Sequence, residues 1–282
     1  MFSNKDIARY YDVSEVHYRR VWNLDKHFSL HYGYWDESTK NLHQALLNIN
    51  KILARKASIL DSDLVLDAGC GIGGSATWLA YNIRCAVTGI SLSAKQVSRA
   101  TLLAAKDGLS NKIIFEEKDF TATGYPDASF DVIWAIESVC HTNDKKQFMD
   151  EAYRLLRKGG RLVMADFFKK DGLVGKEAQW ISQFASGWAV NDFATIEKFE
   201  LELLDSGFDR IQIENITKAI RPSARRLYRA WFPGALLGLL YRIFHPKATD
   251  FGKNNVDTAY LQYKCLKKNL WQYFTVLAYK KE

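Results

Sequence analysis

Through the middle of the chain, short apolar runs alternate with longer stretches whose apolar residues recur at spacings of three and four. Residues 64–67 read as an apolar strand, followed by a glycine turn and an apolar helix from Gly73 to about Tyr81. Residues 85–90 read as the next strand. Ser93-Ala-Lys-Gln96 then has the S-x-x-Q form of a capping box. The helix it opens carries Val97, Ala100, Leu103 and Ala104 on one face, and Gly108 lies just past its end. Strands follow at 112–116 and 131–136. A helix bearing Phe148, Ala152, Leu155 and Leu156 is closed by Gly159, and residues 161–167 read as a fifth strand. Thr195 caps a helix running to Gly207, before strands at 208–213 and 270–279. This alternation predicts an α/β fold: a doubly wound, mostly parallel seven-stranded sheet of Rossmann-like type. The seventh strand is expected to be antiparallel, because no helix of the usual crossover kind precedes it.

Three segments lie outside this pattern: residues 1–60, 168–194 and 217–268. All are expected to be helical. With no repeat and no Pro/Gly/Ser linker, the chain reads as a single domain. Its parts are an aromatic-rich cap (1–60), a core (61–168) and a substrate-side half (169–282) with an insertion at 217–268. The first 35 residues hold nine aromatics, about a quarter of the segment against 13% for the chain.

Composition narrows the class. Apolar residues make up 48% and charged residues 25%, as in ordinary globular domains. Residues 1–13 lack the basic-then-apolar form of a secretory signal. The longest near-continuous apolar run, 231–244, is interrupted by Arg242 and falls short of the ~20 residues a bilayer requires. Four scattered cysteines form no CxxC pair and no metal-ligand spacing, which fits a reducing cytoplasm and predicts no metal site. The net charge of +7 is local. Residues 215–249 contain seven bases and no Asp or Glu, and those seven account for the whole excess.

The strongest motif is Val65-Leu-Asp-Ala-Gly-Cys-Gly-Ile-Gly-Gly74, a strand running into a glycine turn and a helix. Gly69, Gly71 and Gly74 satisfy G-x-G-x-x-G, so a dinucleotide is one reading. Two features oppose it. Asp67 would repel a pyrophosphate at the helix N-terminus. The second strand ends Thr88-Gly-Ile-Ser91, without the acid of NAD sites. S-adenosyl-L-methionine has a sulfonium and no phosphate, and tolerates that carboxylate. Asp119-Phe120 after the third strand suits an adenine amino group and ring. The fourth strand ends at Ile136-Glu137, giving a third polar group at the same sheet edge.

The stretches VLDAGCG, EKDF, FDVIWAIES and RLLRKGGRLVMADF resemble the motifs of class I methyltransferases over residues 60–168. The small-molecule branch that acts on tocopherols, sterols and natural products is the most similar. It shares the cap sequence His31-Tyr-Gly-Tyr-Trp35 and the E-S-x-x-H sequence Glu137-Ser-Val-Cys-His141. The resemblance implies S-adenosyl-L-methionine as cofactor, with contacts at Asp67, Ala68, Gly69, Cys70, Gly71, Asp119, Phe120, Ile136 and Glu137. Most class I enzymes hold the ribose with an acid after strand two. Here Ile90-Ser91 stands there, as in that branch, so Ser91 and Gln96 become the ribose candidates.

Methyl transfer is an in-line displacement in which the protein chiefly aligns the reactants. A base is needed only where the acceptor loses a proton. Glu137 and His141, four apart, are candidates, with an imidazole near neutrality suited to the task, and His31 is another. Tyr11, Tyr32 and Trp35 are expected to close over the cofactor. The 217–268 insertion is read as a wall for an apolar acceptor or as a peripheral contact with an anionic membrane. Nucleic acid is disfavoured: strand four ends Ala135-Ile-Glu137, not the Asn/Asp-Pro-Pro-aromatic turn that grips a flipped base, and no Pro-Cys dipeptide occurs. The expected activity is methylation of a small, largely apolar acceptor at oxygen, carbon or nitrogen. The alternatives are a cyclopropane-synthase-like lipid methyltransferase, weakened by Ala165-Asp-Phe-Phe-Lys169 where a histidine is expected, and a non-enzymatic lipid-binding protein on the same fold.

Overall fold

The computed structural model describes residues 1–21, 24, 28–244 and 251–282, with side chains described at all of these except 15–21, 232–244 and 251–256. Helix α1 (Asn4–Val21) and helix α2 (Leu42–Lys56) precede the sheet. Asn41 caps α2 by accepting from the Gln44 amide, and Leu42, Ala45, Leu46, Ile49 and Leu53 form its buried stripe. Strand β1 (Leu64–Ala68) enters the glycine turn, and α3 (Gly74–Asn82) leaves it. Next come β2 (Ala86–Ser91), α4 (Ala94–Lys106), β3 (Ile113–Glu117) and β4 (Phe130–Ile136). A 3-10 turn (Val139–His141) leads to α5 (Lys145–Leu155) and β5 (Leu156–Lys169). The remaining elements are α6 (Gly175–Gly187), α7 (Ile196–Asp205), β6 (Asp209–Asn215), α8 (Thr217–Phe244), α9 (Phe251–Lys267) and β7 (Trp271–Tyr279).

Among the described residues the seven strands form one mixed sheet, ordered β3-β2-β1-β4-β5-β7-β6. β7 runs antiparallel to both β5 and β6, as expected, although two helices, α8 and α9, stand between β6 and β7 in the chain. The chain order reverses between β1 and β4, so their carboxyl ends open a crevice at the switch point. That crevice brings the turn after Asp67 beside Ile136 and Glu137.

Apolar cores lie on both faces. Trp134, Leu46, Ile49 and Phe184 belong to one, and Phe148, Leu155, Phe199 and Leu203 to the other. Each such side chain contributes about 1.5–3 kcal/mol by leaving water. Most boundaries sit within one or two residues of the sequence reading, which is ordinary for element ends. β5 differs: it begins at Leu156, not at 161, because Leu156 pairs with Phe130, so this residue belongs to the sheet and not to the preceding helix. Both parts of the 217–268 insertion are helical. No described helix is long and apolar enough to cross a membrane.

Candidate active site

The glycine turn shapes the floor of a cavity at the switch point. Gly69 has φ +104°, and a Cβ there would meet the Ser138 Cβ at 2.3 Å. Gly71 has φ +53° with nothing within 4 Å of a Cβ, so its backbone is bare toward the cavity. Both conformations favour glycine. The Gly69 and Cys70 amides donate to the Ile90 carbonyl, and Ser138 Oγ donates to the Ala68 carbonyl at 2.6 Å. Ile90 and Ala68 therefore hold the turn through their main chain and do not line the cavity.

Asp67, Gly69, Cys70, Gly71, Ser91, Gln96, Asp119, Phe120, Ile136 and Glu137 do line it, together with Tyr11, His31 and His141. Asp67 Oδ2 is buried without a partner, and burial raises its carboxyl to about 7. A carboxylate in that position calls for a cationic ligand. An orphaned acid, a bare glycine backbone and an aromatic beside an acid fit S-adenosylmethionine. Ser91 Oγ donates to Gln96 Oε1 at 2.8 Å and accepts from the Ser93 amide. Ser93 caps α4 as its motif predicts, but Gln96 does not return to it and the capping box stays open. Gln96 instead orients Ser91 at the cavity wall.

The site also uses groups that no motif marks. Asn4, at the start of α1, donates to Asp119 Oδ2 at 2.6 Å, while Thr121 donates to Oδ1 through its amide and its hydroxyl. α1 is further tied down by Ser93 Oγ donating to Asp12 at 2.6 Å. It thereby lies as a lid over the cavity. Glu137 has φ +50°, a left-handed conformation that is costly without glycine. Its Oε1 accepts from the Tyr32 amide at 2.6 Å and from the Tyr273 hydroxyl at 2.7 Å. Burial, the largest cause, pushes this acid up to about 8. Tyr273 stands 136 positions away and carries no local signal.

Three expectations are corrected. Tyr32 does not close over the cofactor: its ring packs among Phe167, Trp188 and Trp271, and its hydroxyl donates to Gln262 at 2.9 Å. Only its amide serves the site. Trp35 also points away, with its indole N–H donating to Ser223. His141 does not titrate near neutrality, because burial lowers it to about 4. Its Nδ1 faces the Ala189 carbonyl at 3.4 Å and its Nε2 lies 2.7 Å from the Tyr11 hydroxyl. The neutral ring therefore carries its proton on Nδ1, and Tyr11 donates to Nε2. His31 is likewise lowered to about 4 by burial. Its Nδ1 faces the Tyr32 carbonyl, and its Nε2 is buried without a partner. The 231–244 leucines of the insertion, Leu236, Leu237, Leu239 and Leu240, lie outside the described side chains. Among the described residues no cluster of His, Cys, Asp or Glu could hold a metal ion.

A family model described as a methyltransferase domain matches residues 66–164. The 27-O-demethylrifamycin SV methyltransferase of Amycolatopsis mediterranei is 34% identical over 218 residues, covering 77% of this chain and 79% of that protein. The 2-methyl-6-phytyl-1,4-hydroquinone methyltransferase of Synechocystis is 39% identical over 153 residues, 53% of this chain and 47% of that protein. A geranyl diphosphate methyltransferase solved with GPP and sinefungin superposes with a TM-score of 0.80 at 20% identity, over 98% of this chain and 99% of that one.

Proposed function

The chain belongs to the class I S-adenosylmethionine-dependent methyltransferases of small molecules, and from that premise we propose that it methylates a hydroxyl oxygen on an uncharged, largely apolar acceptor. The observation that carries this reading is the Tyr11–His141 pair, 2.7 Å apart on the cavity wall. When bound, the cofactor supplies an electrophilic methyl group. As the acceptor oxygen attacks, its proton becomes strongly acidic. The Tyr11 hydroxyl accepts that proton while passing its own to His141 Nε2. A base held near 4 is adequate for so acidic a proton. The Ala189 carbonyl keeps the imidazole in the receiving tautomer.

Two further features support an uncharged acceptor. The described cavity wall holds three acids, Asp67, Asp119 and Glu137, and no Lys or Arg. A phosphate or carboxylate would be desolvated there without a counter-charge, at a cost of several kcal/mol. The lid adds Ile7, Ala8 and Leu30, all apolar. The rifamycin relative acts on an oxygen, as its name states.

The test is a screen of hydroxylated terpenoids, phenols and macrocycles with a radiolabelled methyl donor, followed by variants on the substrate found. Tyr11→Phe and His141→Ala are expected to lower kcat by about 10²-fold while S-adenosylhomocysteine still binds. Wild-type turnover of both variants across pH 6–9 would overturn the relay. Turnover of phosphorylated acceptors alone would overturn the reading of charge.

We place the enzyme in the cytoplasm, with Lys218, Arg221, Arg225, Arg226 and Arg229 of α8 meeting anionic membranes where a lipophilic acceptor resides. All five are exposed, and the four cysteines are free thiols.

A further inference from the structure

The cavity is acidic in a protein whose net charge is +7. Of its three carboxylates, Asp119 is already occupied by Asn4 and Thr121. The other two are not neutralised. Asp67 is 2% exposed and has an unpartnered oxygen. Glu137 is set at φ +50° and held by two neutral donors, Tyr32 N–H and Tyr273 O–H. The strained backbone and the two donors fix the carboxylate at the cavity wall, and no cation among the described residues is paired to it.

We propose that Asp67 and Glu137 read the charge on the cofactor sulfur, gripping the methyl donor and loosening their hold on its demethylated product. Transfer breaks the bond between sulfur and methyl, the bonding pair stays on sulfur, and the sulfonium becomes a neutral thioether. The fixed positive charge leaves with the methyl group. The pocket is then left with one unit of uncompensated negative charge, which the Asp67/Glu137 pair offsets by taking up about one proton from solvent. The cofactor's amino group is present before and after, so it cancels from the comparison.

The surroundings leave this charge to the ligand. Facing Glu137 are Tyr11, Tyr32 and Tyr273, the Cys140 thiol, and Asp166 from β5, which adds to the negative field. Facing Asp67 are the Cys70 thiol and the Ala76 amide. His31 and His141, on the same cavity wall, are neutral. Lys145, whose charge acts on Asp166, donates to the carbonyls of Cys140, Thr142 and Asp192. Burial raises Asp67 to about 7 and Glu137 to about 8. Preference for the donor is therefore full where both are ionised and is lost as pH falls through these values. The inference concerns the donor alone and stands whatever the acceptor proves to be.

Calorimetry with sinefungin, which carries a protonated amine in place of the methylsulfonium, and with S-adenosylhomocysteine tests it at about pH 6 and about pH 8.5. We expect sinefungin to be favoured by roughly tenfold or more at the higher pH, with the ratio falling to about threefold or less at the lower. Asp67→Asn and Glu137→Gln, both isosteric, are expected to shrink the ratio at high pH while S-adenosylhomocysteine binding persists. Should either variant fail to fold, the wild-type ratio still decides. A wild-type ratio that does not change with pH, equal affinity for both ligands at high pH, or folded variants that keep the full ratio would each overturn the proposal.

Discussion

Replacing Gly74 with Ala tests how firmly the lid is held over the cavity. Gly74 opens α3 with ordinary helical dihedrals, so alanine strains nothing and favours the helix by about 0.5–1 kcal/mol. Its Cβ would instead lie 2.0 Å from the Phe28 carbonyl oxygen and 2.8 Å from Ser29 Oγ. The 28–29 segment must retreat by more than ~1 Å to restore van der Waals contact. That segment leads directly into Tyr32, whose amide holds Glu137 at 2.6 Å, and it belongs to the lid that carries Tyr11 to His141 at 2.7 Å. Loss of both hydrogen bonds costs about 2–3 kcal/mol at ~1–1.5 kcal/mol each, or roughly 30- to 150-fold in affinity. The helix gain is common to open and closed lids and offsets none of it. Calorimetry should show sinefungin binding weakened by that factor. Limited proteolysis should cut within residues 1–31 faster than in the wild type. The melting temperature should fall by a few degrees, because against the unfolded chain the helix gain offsets only part of the lost lid contacts. Wild-type affinity together with wild-type proteolysis would refute the reasoning, by showing that the cap can slide without loosening its hold on the site.

Two other outcomes follow from the same geometry. Turnover should survive EDTA, because no described cluster has the ligands for a metal; activity lost on chelation and restored by magnesium would contradict this. Binding to anionic vesicles should weaken with added salt and with Arg225→Glu/Arg226→Glu, both exposed on α8, whereas equal binding to neutral vesicles, or none to either, would remove the membrane contact.

Local signals carried the glycine-turn side of the cavity. A strand, an acid and a glycine turn are contiguous, so Asp67 and Gly69 could be placed before any tertiary contact was known. The Ser93 cap was legible for a similar reason, because an N-cap and the amide it accepts from lie three residues apart. Groups that meet across the sheet were not legible. Tyr273 donates to Glu137, and Asn4 donates to Asp119 across 115 positions, in stretches with no motif. Tyr32 illustrates the converse. An aromatic in a cap segment has the same composition whether it faces ligand or core, and only the neighbouring Phe167 and Trp271 decide the matter. Titration fails for the same reason. His141 looks like a neutral-pH base until its burial is known.

The position of β7 has a consequence for biosynthesis. It lies between β5 and β6, and it is translated after every other described strand. Until residues 271–279 are made, β6 has no strand to pair with and Glu137 lacks the hydroxyl of Tyr273. The nascent chain can complete β1 to β5, with the glycine turn, well before then. A partly synthesised chain thus has the floor of the cofactor cavity without the group that sets its carboxylate. Ribosome-bound or prematurely terminated products should bind cofactor weakly, expose the β5 edge, and recruit chaperones at that edge until residues 271–279 are made.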